Sequence, residues 1–500
     1  MTNNTEVEAP VALNQDNLPK INAGGIVATP SYDRDNLVAG IMHFGVGGFH
    51  RAHQAMVIDR LLSAGLANDY AICGVGVLEQ DRRMASIMAE QDHLYTLVLK
   101  HPDGSREARV IGSIIDYLFA PDDPEKVIER MASPEVKIVS LTVTEGGYNF
   151  DQVTGGFLAD EPQIRRDVEN PERPSTVFGF VYAALQRRRE RNIAPFTVMS
   201  CDNIQGNGAV AKASFTAFAR LIDPAFADWM EENVRFPNSM VDRITPVTTE
   251  EDRHDVEQRL GVQDRWPVVA EPWCQWVLED NFDGERPPFE QGGVQLVEDV
   301  EPWEIMKLRL ANVGHQTICY FGTLLGYTYA HEAASDADIT RLLEAYIERE
   351  AIPTLHTVPG LGLDEFRSAL LPRFRNPEIK DTLARLRAES SDRIPKWLLP
   401  VVRENLAAGR GVSLGAAICA SWARYAEGVG EKGEQFTIVD RLKDELMELA
   451  ASQRNDTTAF IRNKTLFGDL ATVEEFREPY SATLESLWAH GARRTLEELG

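Results

Sequence analysis

Short apolar runs alternate with segments of helical period through the first half of the chain. The runs GIMHFGV (40–46), YAICGVGV (70–77), KIVSLTVT (137–144) and FTVMSCDN (196–203) have the length and apolar content of buried strands. The helical stretch AHQAMVIDRLLSAG (52–65) lies between the first two. Apolar strands separated by helices predict a doubly wound α/β domain, with a parallel sheet covered on both faces.

The second half of the chain has a different pattern. From about residue 303 onward the apolar positions follow a helical period, as in ITRLLEAYIEREAI, DTLARLRAE, IPKWLLPVVRENLAAG and GAAICASWARYAEG. The segment 271–306 lies before them, with proline, glycine and aromatic residues in place of a clear period. We therefore predict an α/β domain over residues 1–300 and a mostly helical domain over 301–500, with the boundary near 290–303.

Composition and charge narrow the class of protein. A chain of 500 residues is too long for one ordinary core, which agrees with two domains. Its net charge of −26 would repel a phosphate backbone, so we expect neither nucleic acid nor an anionic membrane as a partner. The first 20 residues lack a basic start followed by an apolar run and are interpreted as a polar arm, and no apolar stretch is long enough to span a bilayer. We expect a cytoplasmic protein that is a monomer or a small homo-oligomer.

The five cysteines are odd in number, far apart and form no CxxC pair. This spacing argues against a disulfide framework and against a structural zinc site, so no metal is expected.

A glycine-rich turn follows the first predicted strand. Gly45 and Gly47 give G-x-G at the strand end, and Gly48, Phe49 and Arg51 fall at the start of the next helix. In a βαβ unit such a turn lets backbone N–H groups meet a pyrophosphate, and an arginine there can touch phosphate. We predict that these residues bind a dinucleotide.

Two features of this turn leave an alternative open. The place of a third glycine holds His50, which would cap or pack the helix, and glycines are common at tight strand–helix turns without any ligand. After the second strand, Asp81 is the expected partner of the adenosine ribose, which favours NAD. Arg82 and Arg83 follow at once, so use of NADP stays open.

The stretch EIMKLRLANVGH (304–315) carries three polar residues in an otherwise apolar helical pattern. At about 100° per residue, Asn312 lies about 140° and His315 about 80° round from Lys307, so all three fit one side of a helix. Each has a structural alternative: a lysine that extends to solvent, a capping asparagine and a core histidine.

Together these three groups suit oxidation of an alcohol without a metal. Burial among apolar neighbours would lower the pKa of Lys307 and let it accept the hydroxyl proton. Asn312 can donate a hydrogen bond to the developing alkoxide, and His315 can orient a hydroxyl.

Seven segments in this order resemble one known family: GVGGFHRAHQA, TVTEGGYNFD, CDNIQGNG, FPNSMVDRITP, AEPWCQWVLED, KLRLANVGH and RIPKWLLP. They resemble the polyol-specific long-chain dehydrogenases and reductases, over about residues 40–490. TEGGY at 144–148 is most similar to the mannitol 2-dehydrogenase branch. The resemblance implies a Rossmann-type domain, a helical C-terminal domain, an active site between them, NAD as cofactor, and a small polyol or ketose as substrate.

The resemblance also implies residue roles. Lys307 would be the general base, Asn203 and Asn312 the hydrogen-bonding pair at the reacting oxygen, and His315 a substrate ligand. Asp242 would lie near nicotinamide and sugar. Glu145 would relay the proton, and Arg385 would bind distal hydroxyls.

Structural alternatives stay open for four of these residues: an Asx turn at Asn203, an ion pair of Asp242 with Arg243, an ordinary polar contact at Glu145, and a solvent-facing helix arginine at Arg385. The function expected is interconversion of D-mannitol and D-fructose. Arabinitol or sorbitol dehydrogenases and uronate reductases of the same family are the alternatives, and a nucleotide-sensing protein without turnover is an alternative from another class.

Overall fold

The computed structural model describes residues 9–150, 155–356 and 363–499. The chain divides into two compact units, the first ending at Glu301 and the second beginning at Pro302. Residues 1–8 of the expected polar arm, and Asp151 of the motif TVTEGGYNFD, lie outside the described residues.

The first unit combines strands and helices. Its strands are β1 (Val11–Ala12), β2 (Ile41–Phe44), β3 (Ile72–Gly76), β4 (Tyr95–Lys100), β5 (Arg106–Ile111), β6 (Ile114–Phe119), β7 (Ile138–Leu141), β8 (Thr197–Ser200), β9 (Ser239–Asp242), β10 (Val262–Gln263), β11 (Val268–Ala270), β12 (Gln275–Glu279) and β13 (Gln295–Val297). Its α-helices are α1 (Leu18–Ala23), α2 (Gly48–Ala52), α3 (Gln54–Ser63), α4 (Arg82–Glu90), α5 (Pro124–Ala132), α6 (Pro162–Glu169), α7 (Val177–Glu190), α8 (Asn207–Ile222), α9 (Pro224–Asn233) and α10 (Glu250–Leu260).

The predicted parallel sheet is confirmed. Its order is β6-β3-β2-β7-β8, and every neighbouring pair is parallel. The first strand of the sheet, β2, is central, and the chain order reverses between β2 and β7. Separate apolar clusters pack on the sheet, as expected for strands buried on both sides. Ligands of such folds bind outside the carboxyl ends of the strands at this reversal.

The sequence pattern missed several strands. In β6 the run IIDYLF contains the charged Asp116, whereas the other four strands of the sheet contain no acidic or basic residue other than His43. The segment 271–306 contains β12 and β13, where no regular element was expected. β12 pairs with β9 and β13 in a smaller sheet, and β4 pairs with β5 and β11 in another. β4 and β5 are neighbours in the chain, whereas the pairings of β4 with β11 and of β12 with β9 join segments that are distant in sequence.

The N-terminal arm is not wholly a solvated tail. β1 pairs with β10 in parallel, and Leu13 and Ile21 are buried in a small apolar cluster with Val262. Few apolar residues stand among many polar ones here, so composition gave no sign of the docking.

The second unit is mostly helical, as predicted. Its α-helices are α11 (Glu301–Lys307), α12 (Val313–Leu324), α13 (Ala330–Ser335), α14 (Ala337–Tyr346), α15 (Leu363–Phe374), α16 (Leu383–Leu386), α17 (Ser390–Trp397), α18 (Leu399–Ala407), α19 (Ser413–Tyr425), α20 (Lys443–Ser452), α21 (Lys464–Phe467) and α22 (Glu474–Leu499). Two π-helical segments interrupt the α-helical pattern, πA (Leu308–Asn312) and πB (Ile347–Ala351). Two expected helices differ: DTLARLRAE forms only the four residues of α16, and IPKWLLPVVRENLAAG contributes to α17 and α18, which meet at Leu398.

Gly45 fixes how the chain leaves β2. Its φ is +91°, and a Cβ added there would lie 2.1 Å from the carbonyl oxygen of Thr142, which follows β7. The backbone of the turn therefore lies directly against the neighbouring strand end. Glycine is required on both counts, because other residues disfavour this φ and any side chain would collide with backbone.

Gly45→Ala should destabilise the first unit by more than the about 1–2 kcal/mol that left-handed backbone alone costs a non-glycine residue. Gly65→Ala is the matched control, since Gly65 has φ +72° but nothing within 4 Å of an added Cβ. Urea unfolding of both variants and the wild type measures the difference. Equal losses of stability would show that the contact with Thr142 has no energetic weight.

Candidate functional site

A cavity of about 700 Å³ opens at the carboxyl ends of β2, β3 and β7. Gly45 and Gly47 form one wall, Asp81 another, and the segment Thr142–Thr144 a third. The cavity lies where the order of the sheet reverses, which is the ligand position of doubly wound folds.

Polar side chains beneath the glycine turn hold its backbone. The hydroxyl of Thr142 donates to the Gly45 carbonyl at 2.7 Å, and His43 Nε2 lies 3.3 Å from the same oxygen. His43 Nδ1 also lies 2.8 Å from Ser140 Oγ. Burial lowers the pKa of His43 to about 3, so this ring is neutral. Its hydrogen bonds support the backbone of the turn.

The residues just after the turn have packing roles. His50 is fully buried and stacks on His43 with ring centroids 3.4 Å apart, which agrees with the packing alternative. Phe49 stacks on His53 at 4.8 Å. Arg51 is 1% exposed and donates to the carbonyls of Trp266 (2.5 Å) and Gly47 (3.3 Å). These bonds favour a structural role for Arg51 over the phosphate contact expected for it.

Gly48 is the first residue of α2, and Gly47 is its N-cap. This α-helix ends after five residues, at Ala52, and α3 begins at Gln54. The glycine turn therefore opens a much shorter helix than the continuous one expected. The cavity is lined by Gly45 and Gly47, whereas Gly48, Phe49 and Arg51 lie outside its lining.

Asp81 lines the cavity and also shapes the turn that follows β3. Its Oδ2 accepts the N–H groups of Val77 (3.0 Å) and Leu78 (2.9 Å). Both cavity lining and turn capping thus belong to the same carboxylate. Its Oδ2 fixes the loop, and the side chain forms part of the cavity wall.

The two arginines after Asp81 are engaged elsewhere. Arg82 forms ion pairs with Glu79 and Asp122 and lies over the ring of Phe119. Arg83 lies over the ring of Trp266, 4.5 Å from its centroid. Because both arginines are engaged in these contacts, Asp81 is better placed than Arg82 or Arg83 to form a hydrogen bond with a ribose.

A buried carboxylate ties the ends of β7 and β8 together. Asp202 accepts the N–H groups of Val143 (3.0 Å) and Thr144 (2.8 Å) and the hydroxyl of Tyr148 (2.8 Å). Burial raises the pKa of Asp202, and these three donors oppose that shift. Thr144 has φ +66°, a strained value for a threonine, and Asp202 holds it there.

Two expected site residues flank this carboxylate. Glu145 is exposed at the start of a 3-10 turn, Glu145–Tyr148, and its charge contributes to raising the pKa of Asp202. Asn203 is exposed and directly follows Asp202 after β8. Asp202 was not singled out from the sequence, although it lies inside the quoted motif CDNIQGNG.

Asp242 ends β9 and is 8% exposed. The indole N–H of Trp273 donates to its Oδ2 at 3.1 Å. Arg243 donates to the backbone carbonyls of Glu271 and Ala52.

In the second unit, the helix that carries the lysine is not regular. Lys307 ends α11, πA follows, and α12 begins at Val313. The N–H of Val313 donates to the carbonyl of Leu308, five residues back, as in a π-helix. The wide turn places residues five apart on the same side, so Lys307 and Asn312 are aligned more closely than the expected α-helix would allow.

Lys307 is 7% and Asn312 8% exposed, and Met306 and Leu310 beside them are fully buried. His315, one turn into α12, is half-buried and packs against the ring of Phe374 at 4.2 Å between centroids. The second unit thus presents an amine, an amide and an imidazole from one interrupted helix.

Arg385 lies on α16, and its guanidinium forms a two-point ion pair with Asp381 at 2.6 and 2.5 Å. The side chain of Arg385 is 59% exposed. The pair neutralises its charge locally, so Arg385 is better suited to hydroxyl groups than to an anion.

Within residues 9–150, 155–356 and 363–499, no group of three or more His, Cys, Asp or Glu side chains is placed to hold a metal ion. In the same part of the chain, no helix has the length and apolar content needed to cross a bilayer.

Comparison with known proteins gives the same division of the chain. Residues 39–291 match the family model of the mannitol dehydrogenase Rossmann domain, and residues 299–488 match that of the mannitol dehydrogenase C-terminal domain. The chain belongs to the mannitol dehydrogenase family. A mannitol 2-dehydrogenase of Aspergillus fumigatus is 43% identical over 497 residues, which are 98% of this chain and 99% of that protein. A mannitol dehydrogenase of Saccharomyces cerevisiae is 42% identical over 473 residues, 94% of each chain.

Two solved structures of related enzymes are similar over nearly the whole length. The Pseudomonas fluorescens mannitol 2-dehydrogenase, solved as a ternary complex with NAD and D-mannitol, has a TM-score of 0.87 and 41% identity, covering 98% of this chain and 99% of its own. A D-sorbitol dehydrogenase in substrate-free form has a TM-score of 0.90 and 36% identity, covering 97% and 100%. The mannitol dehydrogenase family assignment therefore rests on sequence and on fold.

One wall of the cavity is formed by residues that the sequence did not indicate as part of a site. Residues 161–164 and 175–178 line it, including Ser175 and Thr176. Thr176 caps α7 by accepting the N–H of Gly179. A Ser-Thr pair before the apolar run VFGFVYAAL was the available signal of a helix start, but its approach to the glycine turn depends on the tertiary fold.

Proposed function

We propose that this chain is an NAD-dependent polyol dehydrogenase that oxidises D-mannitol to D-fructose and catalyses the reverse reaction. The observation that carries this proposal is the near full-length similarity to an enzyme solved with NAD and D-mannitol. Family membership and the cavity at the sheet reversal support it from the side of the fold.

The residues of the cavity fit a dinucleotide. At Gly45 and Gly47 the backbone approaches the cavity without side chains, and a Cβ at Gly45 would displace the turn. Asp81 provides the acidic group suited to the hydroxyls of an adenosine ribose. NAD, when bound, accepts the hydride that leaves the alcohol carbon. The protein's own residues hold the turn, exclude a 2′-phosphate by charge and move the proton.

In the proposed mechanism, Lys307 takes the proton of the reacting hydroxyl. A buried amine is suited to this task, because burial disfavours its charged form and so leaves it able to accept a proton. Asn312 donates a hydrogen bond to the developing alkoxide without any change of its own charge. His315 orients a second hydroxyl. This step needs no metal ion, since an amine accepts the proton and an amide stabilises the oxygen.

The first unit provides further proposed roles, carried over from the family. Asn203 would donate to the reacting oxygen, Glu145 would pass the proton to water, and Asp242 would bind substrate. Asp202 is proposed to hold the backbone on which both Glu145 and Asn203 lie. Its three hydrogen bonds to Val143, Thr144 and Tyr148 support this positioning role.

Oxidation of D-sorbitol is the second candidate function, favoured by the similarity to a D-sorbitol dehydrogenase. A uronate reductase has less support, because it needs a cation for the substrate carboxylate and Arg385 is already paired with Asp381. A nucleotide sensor without turnover has no need of a buried lysine such as Lys307.

A substrate panel tests the proposed function. D-fructose, fructuronate, tagaturonate, xylulose and fructose 6-phosphate would each be reduced with NADH and with NADPH. We expect the highest kcat/KM with D-fructose and NADH. The proposed site offers hydrogen-bonding partners for hydroxyl groups, whereas Arg385 is already paired with Asp381 and is less able to bind a substrate anion. D-mannitol and D-sorbitol would then be compared in the oxidative direction. A preference for fructuronate or tagaturonate would overturn the polyol assignment.

Lys307→Ala should lower kcat for polyol oxidation by about 10²- to 10⁴-fold, the usual contribution of a general base. Binding of NADH, measured by fluorescence titration, should persist in this variant. Lys443→Ala, at an exposed lysine of α20, is the matched control.

The pH dependence of the wild type provides a second test of the same role. The rate of polyol oxidation should rise with pH as the amine loses its proton, and the rate of ketose reduction should fall, because reduction needs the protonated amine. Unchanged turnover of the Lys307 variant, or a flat oxidation profile while hydride transfer limits the rate, would refute the base assignment.

Asp81→Asn and Asp81→Ala separate the charge of the acid from its turn-capping bonds. Both should raise kcat/KM for NADP relative to NAD, by about tenfold if one charge repulsion of about 1.4 kcal/mol is removed. Only the alanine variant should lose stability, because it leaves the N–H groups of Val77 and Leu78 without their acceptor. Asp103→Asn is the control, since Asp103 caps a turn at Ser105 away from the cavity. An unchanged cofactor ratio would place the discriminating group elsewhere.

A further inference from the structure

πA interrupts the helix between the proposed base and its amide partner. A π-turn is rare and is maintained only where its surroundings favour it over the regular helix. If πA reverted to α-helix, its residues would shift by one position, or about 100° around the axis. Lys307 and Asn312 would then be separated by about 140° around the axis, further apart than in the π-turn.

The side chain of one residue of πA is held by hydrogen bonds to residues outside πA. Arg309 is 8% exposed, and its two terminal nitrogens donate to the two carboxylate oxygens of Glu404 at 2.7 and 2.6 Å. One of these nitrogens also donates to the carbonyl of Thr354 at 2.7 Å. Only the arginine side of this contact is buried, since the Glu404 side chain is half-exposed, but a two-point contact of this kind still fixes the direction of a guanidinium as well as its distance. Glu404 belongs to α18, so this ion pair, called here the Arg309–Glu404 clamp, links πA to another helix.

The backbone of πA has a second support. In an α-helix the N–H of Val313 would donate to the Arg309 carbonyl, but here it donates to the carbonyls of Leu308 and Leu310. The hydroxyl of Tyr346 lies 3.3 Å from the Arg309 carbonyl and donates to it. Tyr346 is fully buried at the end of α14, directly before πB. A side chain thus provides the donor that the π-turn removes.

πB contacts πA, and πB is itself held by hydrogen bonds from α18 and from the start of α19. The side-chain amide of Asn405 donates to the Glu350 carbonyl at 2.8 Å, and the carboxylate of Glu350 accepts the N–H groups of Leu414 and Gly415. Asn405 directly follows Glu404 on α18. Both π-turns are therefore held by adjacent residues of one helix.

We propose that Arg309, Glu404 and Tyr346 are positioning residues that hold πA in its wide turn and so keep Lys307 and Asn312 in the register that alcohol oxidation requires. This inference rests on the proposed function. The three residues act through the backbone of πA and have no contact with the reacting atoms in this scheme.

Glu404→Gln and Tyr346→Phe test the proposal with little change of shape. Each should lower kcat for D-mannitol oxidation by about tenfold, since small misplacements of a catalytic group cost up to about 100-fold in rate. KM for NAD should stay within twofold, because the clamp lies in the second unit and the cofactor turn in the first. Asp469→Asn is the matched control: it breaks the pair of Asp469 with Arg403, the residue before Glu404, and should leave kcat unchanged.

A second arm distinguishes positioning from simple support of the fold. In a Lys307→Ala background, Glu404→Gln should cause no further fall in the residual turnover, because the base to be positioned is absent. A further tenfold fall there would overturn the proposal. So would an unchanged kcat in both single variants of an active enzyme, an outcome that leaves the polyol assignment intact.

Thermal unfolding of each variant completes the test. If Glu404→Gln does not fold, Tyr346→Phe carries the test alone, and loss of fold in both would overturn the proposal by making the clamp a requirement of the domain. A wild type inactive on every polyol would instead refute the proposed function, and the positioning role with it.

Discussion

The burial of one amine is the constraint on which the proposed chemistry of the second unit depends. Lys307 is 7% exposed, and moving a charged ammonium out of water is costly unless it is partnered or neutral. The chain places it at the end of α11, with the fully buried Met306 beside it and Asn312 on the same side. The proposed role as general base gives this burial a function, because an amine shielded from water can more readily give up and take back a proton.

The first unit satisfies a different constraint, the close approach of backbone to a ligand. The turn at Gly45 is pressed against the end of β7, and its carbonyl is bound by the Thr142 hydroxyl, with His43 close to it. Because the pKa of His43 is lowered to about 3 by burial, this support does not change between neutral and mildly acidic pH. The turn keeps its shape through neutral groups, and the absence of side chains at Gly45 and Gly47 suits the dinucleotide that is proposed to bind there.

Sequence alone predicted the parts of the fold whose signals are local. Four of the five strands in the parallel sheet appeared as predominantly apolar runs without a charged residue inside the strand, and Gly45 could be placed from the G-x-G pattern. β6 was missed because the charged Asp116 interrupts its run, and β12 because its partner β9 lies far back along the chain. The π-turn was missed because an apolar pattern over five residues is nearly the same for α- and π-helices. Arg51 was expected at phosphate, but its direction depends on the carbonyl of Trp266, which no local pattern reveals.

Choice among polyols depends on finer features than the family fold. D-mannitol and D-sorbitol differ in configuration at one carbon, so a site separates them only where a buried group hydrogen-bonds that hydroxyl. His315 is proposed to bind substrate, and its packing on Phe374 restricts the ring in a way that suits such a distinction. Arg385 is fixed differently, since Asp381 holds two of its nitrogens and the side chain stays largely exposed. A cation paired in this way recognises a hydroxyl chain loosely and gains little from a carboxylate, because the anion would have to displace Asp381. In the proposed role of Arg385 as a ligand of the distal hydroxyls, its pairing with Asp381 favours a neutral polyol over a uronate.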